Sequence, residues 1–156
     1  MARAPATTGQ QDPDALLAHA DAVCRRQGMT FTALRREVFG LLSRHGRPAG
    51  AYELLDELRT SRPNAAPVTV YRALDFLVSA GLAHRINTLN AFTACRGSDE
   101  SHRGLILICS RCSQVIELED RRVETSIQRS AADFAFAADH APVEVVGTCA
   151  DCQRSA

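Results

Sequence analysis

The sequence predicts an α+β chain: a helical first part closed by a short hairpin, then a smaller β-β-α-β unit. Three observations carry that division. Between Ala15 and Gly81 the apolar residues recur at helical spacing in four runs, each ended by Gly or Pro. Beyond Gly81 they gather instead into short strand-like runs parted by turn residues. Two Cys-x-x-Cys pairs, Cys109/Cys112 and Cys149/Cys152, bracket the last part of the chain.

The first helix follows "DPDA", an Asp-capped start, and lines up Leu16, Leu17, Ala20, Val23 and Cys24 before Gly28 stops it. The second spans about Thr32 to His45, with Leu34, Val38, Leu41 and Leu42 inward and Gly46 as terminator. "AYELLDELRTS" gives a short third helix carrying Leu54, Leu55 and Leu58, closed by Pro63. The fourth opens near Pro67, a residue suited to the first helical position, and ends at Gly81. On a helical wheel Val70, Leu74, Leu77 and Val78 form its apolar stripe. Arg72 points away from that stripe, Thr69, Asp75 and Ser79 share its polar side, Tyr71 lies at the margin, and Phe76 breaks the pattern by facing outward.

"LAHRI" and "AFTAC" then read as strands around "NTLN", whose asparagines suit a tight turn. Three helices and a hairpin spell a winged helix-turn-helix. After it come "GLILIC", "QVIELE", a helix with Val123, Ile127, Ala131 and Phe134 on one face, and "PVEVVGTC". The domain expectation is a flexible polar tail over 1–14, a winged-helix domain over 15–95 with its wing and hinge at about 82–95, and a second domain over 96–156.

Composition narrows the function. With 46% hydrophobic and 23% charged residues the chain is globular rather than fibrous. The tail lacks the apolar core of a signal peptide, and the longest apolar run, "LILIC", is too short to cross a bilayer. These features predict a cytoplasmic protein with no membrane partner. In a reducing compartment its six cysteines point to metal or redox chemistry rather than disulfides. The formal charge is zero, 18 basic against 18 acidic residues, which gives the whole molecule no electrostatic claim on nucleic acid. All 18 basic residues are nonetheless arginine, whose forked donors suit phosphate and guanine edges. The part up to Ala83 carries 10 Arg and 8 Asp/Glu, a slight basic excess.

Cys109, Cys112, Cys149 and Cys152 each lie where a predicted strand ends, so tight turns can aim four thiolates at one ion. A soft four-sulfur set closes the coordination sphere and marks structural Zn(II), which here would tie together the ends of the small domain. A dithiol redox centre needs only one such pair at the start of a helix, and explains two pairs poorly. Cys24, on the apolar stripe of the first helix, reads as a packed thiol.

A second group is His84, Cys95, His102 and Glu117. If the hairpin turns through Asn87 to Asn90, His84 faces Thr93 and Cys95 falls diagonally beside His84 on the same face. The alternation in "VIELE" puts Glu117 on the face opposite Ile116 and Leu118, and His102 precedes the strand leading to Cys109. Two imidazoles, a thiolate and a carboxylate favour tetrahedral zinc over the oxygen-rich spheres of magnesium or manganese. His140 reads as a surface or core histidine rather than a ligand of a third site, and His19 and His45 have no metal-site neighbours in the sequence.

"APVTVYRALDFLVSAGLAHRINTLNAFTAC", followed by His102, the paired cysteines and Glu117, resembles the ferric-uptake-regulator family and, within it, the zinc-uptake-regulator branch. The likeness runs from about Ala15 to Cys152. It implies a transcriptional repressor whose winged helix binds DNA, whose C-terminal domain dimerises, and whose hinge metal switches it on. Cys109, Cys112, Cys149 and Cys152 match the family's structural zinc site. His84, Cys95, His102 and Glu117 match the sensing site of the zinc branch, giving two Zn(II) per subunit. The single histidine in "GSDESHRG" departs from the His-rich run common in the family.

Recognition helices read DNA through their N-terminal residues, here Thr69, Tyr71 and Arg72. Arg72 can bind guanine by two hydrogen bonds, and Tyr71 can pack on thymine methyls or reach a phosphate. The partners that the resemblance implies are a second copy of the chain and a palindromic, A·T-rich double-stranded operator of zinc-uptake genes. Asp56 and Arg59 form a local ion pair or a contact between neighbouring dimers. Rival readings are a sensor of another metal or of peroxide within the same family, and a zinc-ribbon interaction module without DNA binding. An enzyme with a small-molecule substrate is disfavoured, because four protein ligands at each metal leave no open position.

Overall fold

The computed structural model describes residues 12–95, 105–118, 120–138 and 142–155. The chain divides into two compact units, the first with described residues 12–95 and the second with the rest of those described.

In the first unit α1 (Pro13–Arg26), α2 (Ala33–His45), α3 (Ala51–Leu58) and α4 (Pro67–Ser79) precede the hairpin β1 (Ala83–Ile86) and β2 (Ala91–Ala94). Asp12 caps α1 by accepting from the Asp14 N–H, and Pro13 sits at the first turn. The helix therefore takes in Pro13 and Asp14, which the sequence reading left in the tail, and the expected Asp cap is Asp12. Thr32 caps α2 by accepting from the Arg35 N–H, and Gly46 ends it in the left-handed conformation at φ 62°.

The core gathers the predicted stripes. Leu16, Ala20 and Cys24 of α1, Val38 and Leu42 of α2, Leu54, Leu55 and Leu58 of α3, and Val70, Leu74 and Leu77 of α4 are buried together. Val78 is a correction. It is 38% exposed, and Ala73 takes the inward place. Phe76, expected to face outward, is half-buried against the core with the Arg35 guanidinium 3.6 Å above its ring. The Arg35 side chain of α2 covers the Phe76 ring, a contact from a neighbouring helix that a wheel drawn for α4 alone does not carry.

The hairpin register is the expected one, with His84 opposite Thr93 and Ile86 opposite Ala91. Asn90 takes a positive φ of 47° in the turn, which asparagine tolerates. The wing is fixed to the helices by reciprocal hydrogen bonds of 2.8 Å between Ala49 and Phe92. Phe92 itself is buried in the helical core.

The second unit holds β3 (Leu105–Cys109), β4 (Val115–Leu118), α5 (Arg121–Ala132), β5 (Val143–Gly147) and α6 (Ala150–Arg154). The sheet order is β4-β3-β5, antiparallel for β3 and β4, parallel for β3 and β5. This is the predicted β-β-α-β with one addition, the short α6 that carries Cys152. The α5 helix departs from expectation: it ends at Ala132, so Phe134 lies beyond it and is 84% exposed, and no α5 residue is buried within the chain. Val145 and Val146 on the edge strand β5 are exposed as well.

Candidate metal centre

Cys109 ends β3 and Cys112 lies in the turn that follows. That turn closes by hydrogen bonds from the Ser113 N–H to the Cys109 carbonyl and from the Cys109 N–H to the Gln114 carbonyl, each 2.9 Å, with Ser113 at φ 58°. On the neighbouring strand Gly147 leads to Cys149, the N-cap of α6, whose sulfur accepts from the Cys152 N–H at 3.5 Å. Ser110 ties the two turns through its N–H and hydroxyl, both donating to the Gly147 carbonyl.

All four sulfurs lie within 4.8 Å of one another, and Cys112 Sγ is 3.7 Å from Cys149 Sγ. A zinc–sulfur bond of about 2.3 Å in a tetrahedron requires sulfurs about 3.8 Å apart, so the cluster fits zinc with little movement. Its electrostatics point the same way. Backbone N–H groups of Cys149, then Cys112 and Arg111, hold the Cys109 thiol down to about 6. Hydrogen bonding to Cys149 and then Cys112 pushes Cys152 up to about 12. Four adjacent thiols cannot all ionise without a cation, and a dication replaces the retained protons.

In the wing, His84 and Cys95 are both buried, and each offers a ligand atom within 4.8 Å of the other's. The Cys95 N–H donates to the Leu82 carbonyl at 2.8 Å, which extends the hairpin by one step and fixes the thiol on the histidine's side. An imidazole and a thiol held together from adjacent strands are half of a tetrahedral zinc sphere. Glu117 lies on β4 opposite Ile106. His102 and His140 lie outside the described residues.

On α4 Arg72 and Tyr71 are exposed and Thr69 is half-buried, whereas Val70 and Leu74 point into the core. Val68, one residue before Thr69, is 55% exposed. Sequence periodicity gave no reason to single it out, yet an exposed branched apolar side chain in the first turn of such a helix suits contact with a thymine methyl. The α3 pair is local: Arg59 Nη1 lies 3.7 Å from Asp56 Oδ1, three residues apart on one helix.

Residues 26–146 match the model of the ferric uptake regulator family. The chain belongs to that family. It is 39% identical over 138 residues to the zinc uptake regulation protein of Escherichia coli (strain K12), covering 88% of this chain and 81% of that one. With the zinc uptake regulation protein of Mycobacterium tuberculosis (strain ATCC 25618 / H37Rv) it shares 32% identity over 126 residues, 81% of this chain and 96% of the other. A solved zinc uptake regulator in complex with zinc and DNA superposes with a TM-score of 0.87 at 37% identity, covering 93% of this chain and 97% of that one.

One histidine departs from the sequence reading in this family member. His45 has metal-site neighbours after all, because Glu53 and Glu57 of α3 face it. They stand eight and twelve residues away, beyond the reach of a local motif. The remaining cysteine behaves as expected: Cys24 is buried, and desolvation pushes its thiol up.

Proposed function

We propose that this protein is a zinc-responsive transcriptional repressor, a homodimer that binds palindromic operators of zinc-uptake genes in the cytoplasm when zinc is plentiful, and has no enzymatic activity. The observation that carries this reading is the pairing of His84 with Cys95 in the wing, separate from a complete four-thiol cluster. A chain that needed zinc only for folding would be served by the cluster alone. The second, partial set is made for an ion that comes and goes.

The reading assigns two Zn(II) per subunit. Cys109, Cys112, Cys149 and Cys152 hold the structural ion, and His84 and Cys95 are joined by His102 and Glu117 at the sensing site. The donor chemistry supports that set, since a thiolate and imidazoles beside one carboxylate select zinc over harder ions. No helix among the described residues is long and apolar enough to cross a membrane.

Dimerisation is supported by the small unit's own surface. Ile127, Phe134 and Phe136, and Val145 and Val146 on an edge strand, are apolar side chains that the chain leaves uncovered. A second copy covers them by an isologous contact and places two recognition helices for two half-sites. Near-neutral charge keeps the unswitched protein off random DNA, because nonspecific affinity comes from neutralised phosphates. Zinc held by both units fixes the mutual angle of the recognition helices, and by linkage DNA tightens zinc as much as zinc tightens DNA.

The test is operator binding by mobility shift across buffered free zinc. The wild-type dimer should bind only above a threshold, and His84→Ala should bind weakly at every level. Tight operator binding by the fully chelated wild type refutes zinc as the switch.

A further inference from the structure

His45 closes α2, and the left-handed turn at Gly46 sends the chain on towards α3. Its imidazole meets two carboxylates one helical turn apart on α3: Nε2 is 2.6 Å from Glu57 Oε1, and Nδ1 is 3.9 Å from Glu53 Oε1. Each of the three side chains offers a ligand atom within 4.8 Å of the others. The ring is held, with its side chain 12% exposed, while Glu53 and Glu57 are 38% and 43% exposed and open to ions from solvent.

An ion pair accounts for only part of this arrangement. The 2.6 Å contact is a hydrogen bond; the 3.9 Å contact is too long to be one. Carboxylates at i and i+4 on one helix repel each other, which calls for a cation between them. Arg47 now supplies it through paired hydrogen bonds to Glu53 and also donates to the Pro48 carbonyl at 3.0 Å, but its side chain is 58% exposed, so an ion from solvent can compete with it for Glu53. An imidazole with two carboxylates is a zinc donor set that leaves positions for water. Without a thiolate it is weaker than either of the other sets.

We propose that His45, Glu53 and Glu57 form an accessory zinc site within the winged-helix unit, filled when zinc is in excess. Zinc displaces Arg47 from Glu53 and clamps the end of α2 to α3. The released guanidinium lies near the start of α3, whose N-cap Gly50 offers no side chain, and adds a positive charge for a DNA phosphate. This site goes beyond the regulatory reading and does not depend on it.

Equilibrium dialysis of the full-length dimer against rising free zinc tests it. The wild type should take up one more zinc per subunit in a late, weak phase. The Glu53→Gln/Glu57→Gln protein should lose that phase while keeping the tighter zinc. Arg47→Ala, which removes the competing cation, should move the phase to lower zinc. His45→Asn should also abolish it and serves if the double variant fails to fold. Identical uptake by wild type and His45→Asn overturns the proposal and leaves the cluster as an ion pair between helices. A failure of zinc-dependent operator binding would leave this stoichiometry untouched, so the two readings fail separately.

Discussion

Cys112 Sγ stands 3.7 Å from Cys149 Sγ across the turns that end β3 and open α6, although the two residues are 37 apart in sequence. That spacing is one edge of a zinc–thiolate tetrahedron. Among its described residues the small unit buries Ile106, Ile108 and Cys109 but no α5 residue, so an ion held by the four thiols would contribute substantially to its folding.

Cys112→Ser therefore removes more than a ligand. It should cost the small unit its fold and the protein its dimer, read as lost sheet signal in circular dichroism and a monomer in sedimentation. A stable dimer that lacks only regulation would contradict the structural role.

Cys95→Ser should behave differently. The thiol belongs to a wing already fixed by the Ala49–Phe92 hydrogen bonds and by the Cys95 N–H to the Leu82 carbonyl. The variant should remain a folded dimer, keep the structural zinc and lose the dependence of operator binding on free zinc. Metal analysis beside the mobility shift checks both. Unchanged zinc-dependent repression would remove Cys95 from the sensing role.

How far the sequence could be read followed the range of the interactions involved. The wing register was legible because Asn87 and Asn90 fix the turn and pairing follows by counting, and the four-thiol site because spacing within each pair is local. Phe76 was misjudged because a wheel weighs only the helix itself, whereas the Arg35 guanidinium of α2 covers its ring. The α5 stripe was legible as an apolar face, but not that the single chain leaves it uncovered. His45 meets Glu53 and Glu57 only because α2 turns back through Gly46 onto α3, a relationship that no periodicity carries.

Arg72→Ala tests base reading apart from metal binding. The side chain is exposed on α4, away from the buried Val70 and Leu74, so its loss should leave the fold and zinc binding intact. A two-hydrogen-bond contact to guanine discriminates by about 1–3 kcal/mol. Operator affinity should fall towards that for random DNA by the corresponding factor, measured by competition mobility shift. Equal preference in wild type and variant would assign Arg72 to solvent.

The ion pair between α1 and α2 carries a signed pH effect in the first unit. Arg36 of α2 forms a two-pronged ion pair with Asp21 of α1, and its hydrogen bonds hold the Asp21 carboxyl below the usual carboxylate range. A lowered folded pKa means that the charged form favours the native state. The contribution is fully present above the unfolded aspartate value of about 4 and is lost as pH falls through the folded one. Both side chains are partly solvent-exposed, 43% and 30%, which limits the pair to about 0.5–1 kcal/mol. Asp21→Asn should therefore lower stability by that amount at pH 7 in urea titrations, with the gap to wild type closing as pH falls through the lowered folded value of the carboxyl. Acid release of zinc is common to both proteins and cancels in the difference. A gap that persists unchanged into strong acid would mean that Asp21 acts through packing against α2 rather than through its charge.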